Sequence, residues 1–335
     1  MRKSFTLIEI LVVLVIVGIL ATITTEILYK VYENYYISRT LNKLSFKTDA
    51  VLNNIAAKLT QRVPNSVIAV ECNATNGDCQ SGTVTSFKSV SLITPADVTR
   101  FPVLEWLAKD VYSKRGVFDS TKNYIVPGWA GFVDLIKTDT GTNDEYNITL
   151  PFSNFDIVKK LDSNWTDQWG VPNASQIFAN KYEVLLFSGA DDRGDFSEVN
   201  DSFGYYGNPA KNVFQIKSYT VTGDKTVANI QAITPSNTTI VYEGFYLINT
   251  AMAIVPVYNA NTEDFNLTLR MNYYPWNGER YINGRDNNGI LLATHVTQFR
   301  FREQNGIMRI YLCISDPKVK AGDEKITICK EKVVF

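Results

Sequence analysis

One histidine, His295, stands in a chain of 335 residues, so chemistry that depends on imidazole has little to work with. A Ser–His–Asp relay or a His-ligated zinc centre needs partners at defined spacings, and none surrounds it. There is no Gly-rich phosphate loop, no dinucleotide fingerprint and no carboxylate pair that stands out for glycoside chemistry. No catalytic residue, cofactor or metal ligand is therefore assigned. The four cysteines form two local pairs. Cys72 and Cys79 bracket a short polar loop, and Cys313 and Cys329 lie symmetrically about Lys320–Ala321. Four cysteines allow three connectivities. The two local disulfides are expected, with free buried thiols as the other reading. Neither pair has a CxxC spacing, which argues against metal.

Two further patterns are polar. The stretch Gly189 to Asp201 carries Asp191, Asp192, Asp195, Glu198 and Asp201 around Arg193. Oxygen-rich turns can hold Ca²⁺, but this spacing is not that of an EF-hand and Arg193 supplies a counter-charge, so it reads as a solvated turn. Seven Asn-X-Ser/Thr sequons occur, at Asn73, Asn147, Asn164, Asn173, Asn200, Asn237 and Asn266. Five have an acidic residue two positions earlier (Glu71, Glu145, Asp162, Glu198, Asp264), where 34 acidic residues in 335 predict under one by chance. Glycosylation of Asn73, Asn147, Asn164, Asn200 and Asn266 on surface loops is one reading, coincidence in an Asn- and Thr-rich chain the other.

The remaining charge of interest is Glu9. From Phe5 to Thr25 it is the one ionisable residue in 21. As a helix that run spans about 30 Å, the thickness of a bilayer core. Arg2 and Lys3 precede it, which keeps that end cytoplasmic and exports the rest. A secretory signal would have a shorter apolar region followed by a small-residue cleavage site. A plain single-pass anchor leaves the carboxylate unexplained, and a carboxylate inside a membrane is costly enough to imply a role and a partner. Export also places the cysteines where disulfides persist.

The string Ser4-Phe5-Thr6-Leu7-Ile8-Glu9 resembles the leader of type IV prepilins and type II secretion pseudopilins. The resemblance implies cleavage between Ser4 and Phe5 by a prepilin peptidase, N-methylation of Phe5, and a pairing of Glu9 with the Phe5 amino group of a neighbouring subunit during assembly. Opposite charges in a low-dielectric layer cost less together than apart. Two positions depart from the pattern: Ser4 replaces the usual Gly, and Glu26 stands where many major pilins have a kinking Pro. The segment Val296 to Cys313 is similar to the ends of larger minor pilins and of J- and W-type subunits.

The elements that follow are read as one long helix and a head. From Ile27 to Leu59 there is no Pro or Gly, and Leu41, Leu44, Val51, Leu52, Ile55 and Leu59 recur near the helical period until Arg62-Val63-Pro64 stops it. Tyr29, Tyr32, Tyr35 and Tyr36 suit an interfacial belt or subunit contacts. The expected organisation is a leader at 1–4, a membrane half at 5–28, an amphipathic spine at 29–60 and an exported head at 61–335. The class is α+β, a spine helix packed on a mainly antiparallel β head. Strands are expected at Lys181–Phe187, Val213–Val221, Thr239–Ile248, Phe265–Tyr273, Leu291–Arg302, Met308–Ile314 and Lys325–Phe335, with helices at Leu104–Lys114 and Phe155–Leu161.

Thirty-three basic residues against 34 acidic ones imply no basic face for nucleic acid. The expected function is that of a minor pilin or pseudopilin subunit in a fibre serving secretion, DNA uptake or adhesion. Its partners would be the peptidase, other pilin subunits and the inner membrane, with the head periplasmic. The alternative is a tip adhesin or substrate-binding module that uses Tyr205, Tyr206, Tyr273, Tyr274 and Trp276 as exposed contacts. A membrane-tethered enzyme has no motif behind it.

Overall fold

The computed structural model describes the chain apart from residues 1–6, 74–78, 80–82, 98, 142–143, 169–173, 189–198, 236–240, 285–288 and 322–323. A single helix, α1 (Leu7–Leu59), runs unbroken for 53 residues, through Glu26. Without Pro or Gly beyond Gly18, nothing in its sequence interrupts the backbone ladder. Its first thirty residues, 7–36, are all exposed, whereas Thr40, Leu44, Thr48, Val51, Leu52, Ile55, Ala56 and Leu59 are buried. Those steps of three, four and one describe one helix face, and that face is where the helix meets the head.

The head continues with β1 (Ile68–Asn73), β2 (Thr83–Ser89), β3 (Val103–Lys109), the short α2 (Val111–Arg115), and a separate hairpin, β4 (Val117–Asp119) with β5 (Tyr124–Val126). Then come β6 (Asp134–Thr140), β7 (Glu145–Pro151), α3 (Phe155–Gln168), β8 (Val184–Phe187) and the single turn α4 (Val199–Ser202). The chain ends on long strands: β9 (Val213–Thr222), β10 (Lys225–Ala232), β11 (Phe245–Asn259), β12 (Asp264–Tyr273), β13 (Ile290–Gln304), β14 (Ile307–Ala321) and β15 (Glu324–Val334). Thirteen strands form one antiparallel sheet in the order β15-β14-β13-β12-β11-β8-β9-β10-β7-β6, with β3, β1 and β2 branching from it. The branch point is β11. Ile248 pairs with both Lys109 of β3 and Val184 of β8, and Ala251 with both β3 and β12. A strand has two edges, so β8 and β12 follow one another along one edge of β11 while β3 takes the other.

Helix α1 lies against β14 and β15, where Leu44, Leu52, Ile55 and Leu59 join Leu312, Ile314, Ile326 and Val334 in one core. Polar contacts fix its register. Lys47 Nζ donates to Thr294 O and Oγ1, both at 3.0 Å, and Lys330 Nζ bonds Asp49 and, at 2.7 Å, Ser45 Oγ. A second core lies around β3, β8 and β11, and a third packs α3, through Phe155 and Val158, on β7, β9 and β10.

The α+β class and the C-terminal meander are as the sequence led one to expect. The helix expected at Leu104–Lys114 is instead strand β3, followed by the five-residue α2. Val103 to Ala108 are buried on both faces because Leu104, Trp106 and Ala108 enter the core shared with α1 while Val103 and Leu107 enter the second core on the opposite face. A strand covered on both sides shows a continuous apolar run, the same signal as a buried helix. Of the strand expected at Thr239–Ile248, residues 239–240 lie outside the described residues and 241–244 precede the strand, which begins at Phe245 and runs on to Asn259 through Ala251, Ala253 and Pro256, residues of poor strand propensity.

Candidate functional site

The exposed part of α1 is the first candidate, built from residue types that suit lipid. It is the one helix among the described residues long and apolar enough to cross a membrane, with a mean hydropathy of 2.8 over its best 18-residue window. Its polar side chains turn inward on their own backbone: the hydroxyls of Thr22, Thr24 and Thr25 donate to the carbonyls of Ile19, Leu20 and Ala21 at 2.7–2.8 Å. Such back-bonding leaves no hydroxyl bare in an apolar layer. Glu9 is exposed on the first turns, while Ser4 and Phe5 lie outside the described residues. At the other end of the run, Glu26 and Lys30 pair at 3.2 Å. Tyr32 and Tyr36 pack one turn apart with ring centroids at 4.9 Å, and exposed Tyr35 lies edge-on to Tyr36 at 6.2 Å. Phe46, 77% exposed on the face turned away from the head, is the one large apolar residue of the packed half that sits almost bare.

Both cysteine pairs are disulfide-bonded. Cys72–Cys79 spans seven residues with Cα atoms 5.5 Å apart, and Cys313–Cys329 links directly opposed positions of β14 and β15, Cα atoms 4.0 Å apart. His295 Nδ1 lies 2.7 Å from Asp264 Oδ2, a pair that joins β13 to the start of β12.

The aromatic residues considered as surface contacts are not on the surface. Tyr205, Tyr273, Tyr274 and Trp276 are buried and Tyr206 is half-buried. Gly204, at φ +81°, lets the chain pass where a Cβ would meet Trp276 Cα at 2.7 Å, and delivers Tyr205 and Tyr206 inward. Tyr206 Oη donates to Glu105 Oε2 at 2.5 Å and Tyr273 Oη to Oε1 at 3.0 Å, while Tyr205 Oη bonds Ser66 O at 2.9 Å. These rings enclose the carboxylate of a central strand. Burial pushes Glu105 up to about 7, against the pull of the two tyrosine hydroxyls.

Three further carboxylates converge elsewhere. One oxygen each from Asp110, Asp162 and Glu183 lies within 4.8 Å of the others, and all three residues are buried. Asp110 ends β3 and caps α2, accepting the amides of Tyr112 and Ser113 on Oδ1 at 3.0 Å. Asp162 projects from α3, and Glu183 immediately precedes β8. Burial and mutual repulsion hold Asp110 and Glu183 well above the usual carboxylate range, and burial raises Asp162 to about 6. Sequence reading missed this group because its members are 52 and 21 positions apart.

The sequons do not share a loop setting. Asn147 and Asn266 are in β7 and β12, Asn73 is in β1, Asn164 is in α3, and Asn200 is exposed on α4. The acidic residues before them have structural partners: Glu71 takes Arg100 at 2.7 and 3.0 Å, Asp264 holds His295, and Asp162 belongs to the buried trio. The expectation of surface loops therefore fails for the strand and helix sites. Asn173, Asn237 and Glu198 lie outside the described residues, as do residues 189–198 of the acidic stretch; its last carboxylate, Asp201, pairs with Lys211 at 2.7 Å.

Residues 1–25 match the family model of the prokaryotic N-terminal methylation motif. The motif and the long apolar helix together fit a type IV pilin or pseudopilin, processed by a prepilin peptidase and assembled with other pilins. No curated protein and no solved structure matches the chain significantly.

Proposed function

We propose that the chain is a minor pilin or pseudopilin subunit that enters a fibre through α1. The observation that carries this is the division of one continuous helix into two environments. Residues 7–25 are exposed and apolar apart from Glu9, residues 26–36 are exposed and mixed in character, and residues 40–59 bury one face in the head. An apolar surface of this length needs a cover, first lipid and then, in a fibre, the same surface of neighbouring helices. Cleavage before Phe5 would free the amino group that Glu9 of the adjoining subunit meets, fixing the axial step between them. Arg2 and Lys3 would hold the N-terminus in the cytoplasm, with the head in the periplasm. The size of the head, the continuous helix at Glu26 and the C-terminal meander support a minor pilin or pseudopilin over a major one. The adhesin reading relied on Tyr205, Tyr273, Tyr274 and Trp276, and their burial removes that support.

Replacing Glu9 by Ala tests this. Membrane insertion, read by carbonate extraction, should be unchanged while incorporation into sheared fibres falls. Fibres that take up the variant at the native level would refute the role given to Glu9.

A further inference from the structure

The carboxylates of Asp110, Asp162 and Glu183 come from a strand end, a helix and a loop, and the methylation motif has no use for them. Glu183 is 1% exposed, yet neither carboxylate oxygen accepts a hydrogen bond from any described residue outside the trio; within it, Glu183 meets only the carboxyl of Asp162. Asp110 Oδ2, 1% exposed as a residue, is in the same state. So is the hydroxyl of buried Ser113, whose amide lies 3.0 Å from Asp110 Oδ1. No lysine or arginine among the described residues forms an ion pair with Asp110 or Glu183, and the charges that act on the two are those of the trio itself. Buried acceptors of this kind are costly unless something donates to them or neutralises them.

We propose that Asp110, Asp162 and Glu183 form a binding site for a divalent cation, Ca²⁺, that ties α2, α3 and β8 together. The ligand set is all oxygen, which selects hard cations. Oxygens within 4.8 Å of one another can surround an ion at the usual Ca²⁺ distance of about 2.4 Å, since that separation is the diameter of its shell. Access and remaining ligands are also provided for. A cavity of about 200 Å³ is lined by Asp110 and Asp162 together with Tyr112, Asn249 and Asn272, room enough for several waters. The trio carries three charges when ionised, so binding displaces the protons that burial otherwise retains on it, and affinity rises with pH. The site is independent of the assembly role of α1.

The test uses the full chain in detergent, stripped with EDTA. Terbium(III), a Ca²⁺ mimic, should give sensitised emission through Trp129, whose Nε1 donates to Asp110 O at 2.9 Å. Calcium should displace it with one-to-one stoichiometry, and Tm should rise by about 4 °C at a hundredfold excess over Kd. Glu183→Gln should weaken binding by tenfold or more. If that variant does not fold, Asp110→Asn carries the test, since Asn retains the cap on α2. Three results would overturn the proposal. One is a Tm identical in EDTA and millimolar Ca²⁺, which leaves protons as the occupants. Another is a response to Mg²⁺ but not Ca²⁺. The third is unchanged binding in both variants, which puts the ion elsewhere, for example at the acidic stretch 189–201.

Discussion

Glu105 gives the most quantitative expectation. Its carboxyl is pushed up to about 7 in the folded chain against an ordinary 4.5, and it is wholly buried, so solvent screening takes nothing away. Folding therefore favours the protonated form. Below pH 4.5 both states hold the proton and the group costs nothing. As pH rises the unfolded chain loses its proton first, so stability falls between about 4.5 and 7 and is level above. The shift corresponds to about 3 kcal/mol. Glu105→Gln keeps the shape and a hydrogen-bonding side chain but does not titrate. Relative to the native protein its stability should be about 3 kcal/mol greater at pH 8 than at pH 4, or about 5 °C in Tm for a chain of this length. Asp110, Asp162 and Glu183 titrate in the same direction, but they are present in both proteins and cancel in the difference. Scanning calorimetry from pH 4 to 8 in EDTA measures it. A Tm difference that does not change with pH, or that favours the native protein at pH 8, would refute the reasoning.

Removing the Cys313–Cys329 link by a double Cys→Ser change opens a 16-residue loop and should cost about 3 kcal/mol, read as a fall of about 5 °C in Tm. On α1, Leu52→Ala deletes a side chain 2% exposed and should cost about 2–5 kcal/mol in denaturant unfolding. Phe46→Ala, six residues away on the bare face, should change stability by less than about 0.5 kcal/mol and show its effect only as reduced incorporation into fibres. Equal losses of stability for the two would show that the packed and bare faces are misassigned.

How much of this was legible depended on whether the information was local. The long helix was, because its apolar run and the absence of Pro and Gly sit in consecutive residues. So were β13, β14 and β15, where one face meets α1 and the other is open, giving alternation. Strand β3 was not, since burial on both faces erases the alternation and leaves a run that a helix could equally supply. Tyr205, Tyr273 and Trp276 looked like surface aromatics because their partners, Ser66, Glu105 and Lys181, are 95 to 168 positions away. The acidic trio is the limiting case. Asp110 reads as an ordinary cap and Asp162 as part of a sequon, and only the crossing of three elements brings them to Glu183.

The opposition of Cys313 and Cys329 has a mechanical consequence. β15 is the outermost strand of the sheet, so its backbone is held by β14 alone, and it is also one of the strands on which α1 rests. A fibre pulled along its axis would load each subunit through its helix, and that load would reach the head at a strand with a single neighbour. Edge strands under such tension separate one hydrogen bond at a time, like a zip. Here the zip is pinned midway by a covalent bond, one residue from the Lys330 that grips Asp49, so the load passes into the interior of the sheet before the edge can peel.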